Sequence, residues 1–431
     1  MPKGGGCAIL LKNMTHSFLP SWPLQFSYPL LFAVLLVAGM LGGEMARAAR
    51  LPRIIGYVIV GMVFAPLANA MSFEPLIASA RIFLDLALGL VLFDLGRRMD
   101  LQWMKREWAL AATGLMESML AFGAVFATLL WFDVGAIKAG IAAAIAMATA
   151  PAVVLLVVQD TRSEGQVTER SLNIVALNNL LASIVTTILL TSAHLDAKVD
   201  VEMALLHPAY LFLGSLALGA AVASVARLLA RTVEKTKDLH FTLIAGMVVG
   251  AVGLAIMLKL SVILALLAFG LFSRNDARSH DLLNVNLAPS SRLLYIVLFV
   301  LTGASLPPSA LLTAGWVGLA LAAARFAGKL VGVLVLAPMG GLRWRQAVGL
   351  GLALAPMSTF ALLLQHDVAR EFPEFADTSA VFLAAIFVME FVGPLAVQAG
   401  LTIAGETAPD DDVGSATGRH VARIPGAEGM R

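Results

Sequence analysis

The sequence predicts an all-α, polytopic membrane protein of about thirteen transmembrane helices, and three observations carry that reading. Of its 431 residues, 59% are hydrophobic and 13% charged, with a mean hydropathy of +0.86, whereas soluble domains carry about 25% charged residues. Apolar stretches approaching the ~20 residues that cross a bilayer follow one another along most of the chain. Two of them are interrupted at mid-length by proline, in Ala148-Thr149-Ala150-Pro151 and Leu354-Ala355-Pro356-Met357-Ser358.

The stretches run, in order, over 27–46, 52–71, 77–96, 108–131, 135–158, 170–192, 206–230, 239–258, 259–273, 290–308, 309–337, 345–369 and 377–401. The ninth is short and shares the least distinct boundary with the eighth. Basic residues test the count. Loops after odd-numbered spans, with the C-terminal tail, hold 21 of the 30 lysines and arginines, and the opposite side holds 7. Lys/Arg excess marks the cytoplasm, so the N-terminus is expected outside and the C-terminus inside. Residues 1–26 set Lys3 and Lys12 around a very short apolar run, which is not the pattern of a signal peptide. Residues 402–431 are polar, include Pro409-Asp410-Asp411-Asp412, and are expected to be disordered. The single cysteine, Cys7, excludes a disulfide framework.

A proline at the centre of a membrane helix removes a backbone hydrogen bond and pushes the preceding residue out of helical geometry. Lipid tolerates such a break only where the freed backbone groups face protein or a water-lined cavity. The two breaks lie seven spans apart, in the fifth and twelfth, so the helices that carry them run in opposite directions. That arrangement predicts inverted repeats, with the two broken helices crossing at the bilayer midplane.

The two bases left over, Arg325 and Lys329, both lie inside span 309–337, and two acids, Glu117 and Glu390, lie inside spans four and thirteen. At ~1.5 Å per residue, Glu117, Pro151, Asn178, Arg325, Pro356 and Glu390 fall near one depth. Charges there cost several kcal/mol and mark either function or helix register. Arg325 and Lys329 are one turn apart and share a face. That face is expected to point into the bundle, with at least one of Glu117 and Glu390 in reach of Arg325 or Lys329.

Several segments together resemble the monovalent cation/proton antiporters of the sodium/proton exchanger type. Gly43-Glu44 with Leu51-Pro52-Arg53-Ile54-Ile55-Gly56-Tyr57 and Gly61 is similar to that family's opening pattern. Leu88-Gly89-Leu90-Val91-Leu92-Phe93-Asp94-Leu95-Gly96 resembles its third helix. Ala148-Thr149-Ala150-Pro151-Ala152-Val153-Val154 resembles its first unwound helix, and Gln166-Val167-Thr168-Glu169-Arg170 the loop after it. Phe299-Val300-Leu301-Thr302-Gly303 and Arg325-Phe326-Ala327-Gly328-Lys329 match in turn, all in the family's order.

The resemblance implies a homodimer whose membrane domain, 27–401, has two parts. Helices 27–96 and 239–308 form a dimerising panel, 108–192 and 309–401 a core that moves like an elevator, and 206–230 a linker. It also implies a cation site at the crossing, formed by Thr149, Ala150, Pro151, Asn178, Asn179 and Ser358.

One departure matters more than the matches. The family's sixth helix carries Asn-Asp or Asp-Asp, whose second aspartate takes cation and proton in turn; this chain has Asn178-Asn179, and Ala150 where an Asp often precedes the proline. An amide oxygen can coordinate a cation but cannot release a proton near neutral pH. Three carboxylates remain as proton carriers. Glu117 and Glu390 lie deep in the core. Asp94 ends the third span beside Arg97 and Arg98, where a solvated helix end is the plainer reading.

No Walker loop, nucleotide fingerprint or His/Cys cluster points to an enzyme, a cofactor, a metal centre or nucleic-acid binding. The expected activity is exchange of a monovalent cation, Na⁺ in the first instance, for H⁺ across a bacterial-type inner (plasma) membrane. The missing aspartate keeps open an uncoupled uniporter, a carrier of another solute or a non-transporting homologue. A passive channel is a third reading, against which the two helix breaks argue.

Overall fold

A computed structural model describes residues 28–70, 74–99, 101, 106–195, 201–232, 237–275, 288–306, 309–357, 361 and 376–408. Among the described residues each expected span contains helix. The first four are α1 (Tyr28–Ala48), α2 (Arg53–Ala70), α3 (Glu74–Arg98) and α4 (Trp108–Trp131). The fifth is two half-helices, α5 (Ala136–Met147) and α6 (Pro151–Thr161). Then come α7 (Gln166–Leu195), α8 (Val201–Thr232), α9 (Lys237–Met257), α10 (Val262–Asn275), α11 (Ala288–Ser305) and α12 (Ser309–Leu336). The twelfth span begins as α13 (Trp344–Ala353) and unwinds over Leu354 to Met357 before leaving the described residues, and α14 (Ala376–Ala404) is the thirteenth. Among the described residues, seven segments are long and apolar enough to cross a membrane by themselves, and α2, α10 and α11 supply shorter apolar helices. Exposed tryptophans stand at helix ends, Trp108 and Trp131 on α4 and Trp344 at the start of α13, where an aromatic side chain meets the bilayer–water boundary.

The helices pack in two groups. In the first, α1, α2 and α11 pack together, and α3 joins them to α9 and α10. In the second, α4 packs on α5 and α7, α12 on α13 and α14, and α4 lies along α12. The second group therefore has the same three-helix unit twice, its middle helix broken each time. Helix α8 packs on α9 and α10 and also on α7.

Small residues let these helices approach closely, as lipid-embedded packing requires. A Cβ at Gly332 would lie 2.3 Å from Glu117 Cα, and one at Gly328 would lie 2.7 Å from Leu120 O. Those two glycines bring α12 against α4 at the level of the buried charges. Gly349 on α13 meets Gly400 on α14 in the same way, where either Cβ would lie 2.5 Å from the other residue's carbonyl oxygen. Helix α12 is also kinked at Gly315, whose φ of 53° favours glycine.

Two features correct the sequence reading. Residues 166–170, read as a loop, form the first turn of α7. Residues 402–408, read as part of a disordered tail, are described: 402–404 close α14, and Glu406 bonds to α7. The Glu406 carboxylate accepts the Val167 and Thr168 N–H groups at 2.7 and 2.8 Å and the Thr168 hydroxyl at 2.8 Å. The main chain adds Glu164 N–H to Glu406 O and Ala408 N–H to Thr161 O. An acid from the end of one repeat thus caps the first helix turn of the other, satisfying N–H groups that have no intrahelical acceptor and matching the helix dipole. Gly165 leaves room for it, since a Cβ there would lie 2.3 Å from Glu406 Cδ. Glu406→Ala is expected to cost about 1–2 kcal/mol, the range of a lost cap, and to speed amide hydrogen exchange at Val167 and Thr168. Unchanged exchange there would show that the cap does not hold α7. The expected N-terminal segment 1–26 and residues 409–431 lie outside the described residues.

Candidate functional site

Pro151 opens α6 at its first position, and the residues before it are extended, Ala148 at φ −60°, ψ 142° and Ala150 at φ −69°, ψ 105°. That is the geometry a following proline imposes. The second break stands directly against the first: Ala150 N–H donates to Pro356 O at 3.1 Å. The two interruptions meet, and their half-helices α5 and α13 point C-terminal carbonyls at each other.

Arg325 resolves that collision. It is fully buried, and its guanidinium donates through Nε to Ala146 O at 2.7 Å and through Nη2 to Ala148 O at 2.6 Å and Pro356 O at 3.0 Å. Nη1 donates to Ala355 O. One side chain therefore serves four carbonyls from both broken helices. A guanidinium is suited to this, as a planar fork of donors that stays charged when buried, and its charge offsets the negative ends of two helix dipoles. Among the described residues Arg325 makes no ion pair, because the backbone carbonyls take its donors.

Lys329, one turn on, makes the ion pair instead. Its Nζ lies 2.8 Å from Glu117 Oε2, with both side chains fully buried. The pair joins α4 to α12, the corresponding helices of the two repeats. Glu390 is also fully buried, yet neither of its oxygens has a hydrogen-bond partner among the described residues. Glu117, and not Glu390, is the acid in reach of these bases among the described residues.

On the other side of the crossing, α7 presents amides to the first break. Asn178 Nδ2 donates to Thr149 Oγ1 at 3.0 Å, and Asn178 Oδ1 accepts from the Ser118 hydroxyl at 2.9 Å. Asn179 Nδ2 donates to Thr149 O at 2.9 Å and to Val175 O at 2.8 Å. Asn179 Oδ1 is buried without a partner among the described residues. Among the described residues the Ser183 and Thr186 hydroxyls are likewise buried and unpartnered, and with Asn179 they recur at i, i+4 and i+7 along one face of α7.

Thr149, Ala150, Pro151, Asn178 and Asn179 are thus brought together, whereas Ser358 lies outside the described residues. Asp94 is placed elsewhere, ending α3 with hydrogen bonds from Arg97 Nη2 at 2.7 Å and Arg98 Nε at 3.1 Å. Sequence reasoning missed Ser118, Ser183 and Thr186. The periodicity of the last two with Asn179 was the available signal.

The two helix groups are bridged by charge where α2 meets α6. Arg53 on α2 contacts Asp160 on α6 at 3.1 Å and Glu44 on α1 at 2.9 Å.

Broken helices from inverted repeats, meeting around buried polar groups, define the fold of a secondary transporter. The family profile for the transmembrane region of sodium/hydrogen exchangers matches residues 32–401, and the chain belongs to that family, which is one of transporters. The fold is similar to that of the sodium proton antiporter MjNhaP1 from Methanocaldococcus jannaschii. Against its structure at pH 8 the TM-score is 0.63 at 17% identity, covering 86% of this chain and 94% of that one. Against an electron-microscopy structure of MjNhaP1 the TM-score is 0.66 at 15% identity, covering 88% and 98%. At such identities the likeness concerns the fold alone. No curated protein matches this chain in sequence.

Proposed function

We propose that this protein exchanges a monovalent cation, Na⁺ in the first instance, for protons, and that it binds the cation at the first helix break. The observation that carries the reading is the buried, unpartnered Asn179 Oδ1 beside Thr149 and Asn178. A buried acceptor left without a donor is costly, and a desolvated cation needs such oxygens. Thr149 Oγ1 and the main-chain oxygens of the unwound segment would complete its shell. The coupled proton rides on a buried acid, since neither amide can release one.

The packing of helices into two groups supports an elevator in which α4–α7 and α12–α14 move against the others, with α8 as the linker. A shift of that kind has to part Arg53 from Asp160. Panel helices α1–α3 and α9–α11 would make the homodimer contact. The distribution of basic residues supports an inner (plasma) membrane setting with the N-terminus outside and the C-terminus in the cytoplasm. A second reading, uncoupled cation transport, draws on the same Asn178-Asn179 pair.

The test is ²²Na⁺ uptake into proteoliposomes by wild type, Asn179→Asp and Asn179→Leu. Asn179→Asp is expected to raise Na⁺ affinity at alkaline pH and to make it fall on acidification, because a carboxylate then competes for protons at that position. Asn179→Leu is expected to abolish saturable uptake. Uptake unchanged by both substitutions would remove the cation site from this position.

A further inference from the structure

We propose that Glu390 is the proton-binding site of this transporter, separate from the cation site and seated at the second helix break. The proposal rests on the exchange reading above and names the group that carries its proton.

Position comes first. Gly393 on α14 packs directly on the break, since a Cβ there would lie 2.9 Å from Pro356 Cα. Glu390 is one turn earlier on the same face. By repeat symmetry α14 corresponds to α7, so Glu390 stands beside the second break as Asn178 and Asn179 stand beside the first, without the hydrogen bonds those amides make to Thr149. The two faces differ in chemistry. The α7 face offers amides, which coordinate but do not titrate, whereas the α14 face offers a carboxyl, which titrates.

The surroundings come second. Its neighbours Ile386 and Met389 belong to an apolar cluster with Phe382 and Met357. The helices packed on α14 bring several charged groups, none of which is engaged with Glu390. Arg325 donates to four carbonyls, and Lys329 to Glu117. Arg345 on α13 and Asp160 on α6 lie near the other end of α14, where Gly349 meets Gly400 and Ala408 bonds Thr161. Arg53 on α2 is held there by Asp160, and Arg170 on α7 donates to Gly340 O. Glu169 is in the first turn of α7, which Glu406 caps at that same end. A carboxylate with no ion partner and no donor does not persist in such a place, whereas a neutral carboxylic acid does.

The cycle follows. In the conformation described, Glu390 holds its proton as O–H. When the core carries the second break to water, the O–H bond breaks, the proton leaves to that side, and the carboxylate remains in contact with water. The core crosses in one of two forms, with Glu390 protonated and the cation site empty, or with a cation at the first break and Glu390 ionised, the cation's charge across the crossing offsetting the carboxylate. A proton released to one side is thus replaced by a cation bound from that side, and on the other side the cation leaves and water returns a proton to Glu390, with no need for the two to compete for one aspartate.

Three variants in proteoliposomes test this, with infrared spectroscopy as a readout independent of transport. Wild type is expected to show the carbonyl stretch of a protonated carboxylic acid, shifted by exchange into D₂O and absent in Glu390→Gln. Glu390→Gln is expected to lose Na⁺-driven proton flux while keeping ²²Na⁺/Na⁺ exchange within about twofold of wild type, the pattern of a group used in one half of the cycle. Glu390→Asp is expected to restore proton flux with a displaced pH profile. Proton flux in Glu390→Gln equal to wild type would overturn the proposal, as would equal loss of Na⁺/Na⁺ exchange or an infrared band that survives the substitution. A wild type that moves Na⁺ without protons would instead sink the exchange reading, and the infrared band would still decide whether Glu390 holds a proton.

Discussion

Replacing Arg325 by methionine is expected to destabilise the folded protein by roughly 4 kcal/mol or more, at the extreme end for a single substitution. The side chain fits by size, but four carbonyls lose their donor at once, Ala146, Ala148, Ala355 and Pro356. Each buried carbonyl left unsatisfied costs ~1–3 kcal/mol, and two half-helix C-termini are left facing each other without a cation. Some of the loss will be recovered by water entering the crossing, so the sum is an upper bound. Arg325→Lys should fall between, because an ammonium is a point donor that cannot span both chains. Thermal unfolding in detergent, followed by intrinsic fluorescence, reads the order wild type, lysine, methionine. A methionine variant as stable as wild type would show that the guanidinium does not hold the crossing together.

The second large effect concerns Lys329 and Glu117. Lys329→Met is expected to cost about 3–5 kcal/mol, because it leaves Glu117 as an uncompensated charge in the core of the bundle. Adding Glu117→Gln removes that charge, and the double variant should regain most of the stability. The pair is thereby assigned to register between α4 and α12, whose close approach Gly328 and Gly332 permit. Under this account the double variant keeps Na⁺-driven proton flux. A double variant that is stable yet uncoupled would move the proton from Glu390 to Glu117.

The sequence makes some of this site legible and hides the rest for physical reasons. Pro151 and Pro356 announce the breaks because proline acts on its own backbone wherever it sits. Depth is legible too: a fixed rise per residue puts Glu117, Asn178, Arg325 and Glu390 on one level before any packing is known. Partner choice is not, since rise says nothing about rotation between helices. Two acids and two bases at one depth therefore suggested ion pairing without saying which groups meet, and among the described residues Lys329 meets Glu117. The role of Arg325 was hidden because its acceptors are main-chain carbonyls, which every residue has. Glu406 was hidden by composition, since a polar tail reads as solvated on average while one carboxylate in it finds two free N–H groups. Ser118 looks like any membrane-helix serine until α7 brings Asn178 Oδ1 to it.

The central claim, exchange of cation for proton by a chain without the family's aspartate, is tested most directly by one flux measurement. Proteoliposomes loaded with Na⁺ and a pH-sensitive dye are diluted into Na⁺-free medium with the membrane potential clamped at zero by K⁺ and valinomycin. Efflux of Na⁺ should draw protons inward and acidify the lumen, and monensin should add little further change. If ²²Na⁺ leaves while lumenal pH stays constant, transport is uncoupled and the account is contradicted.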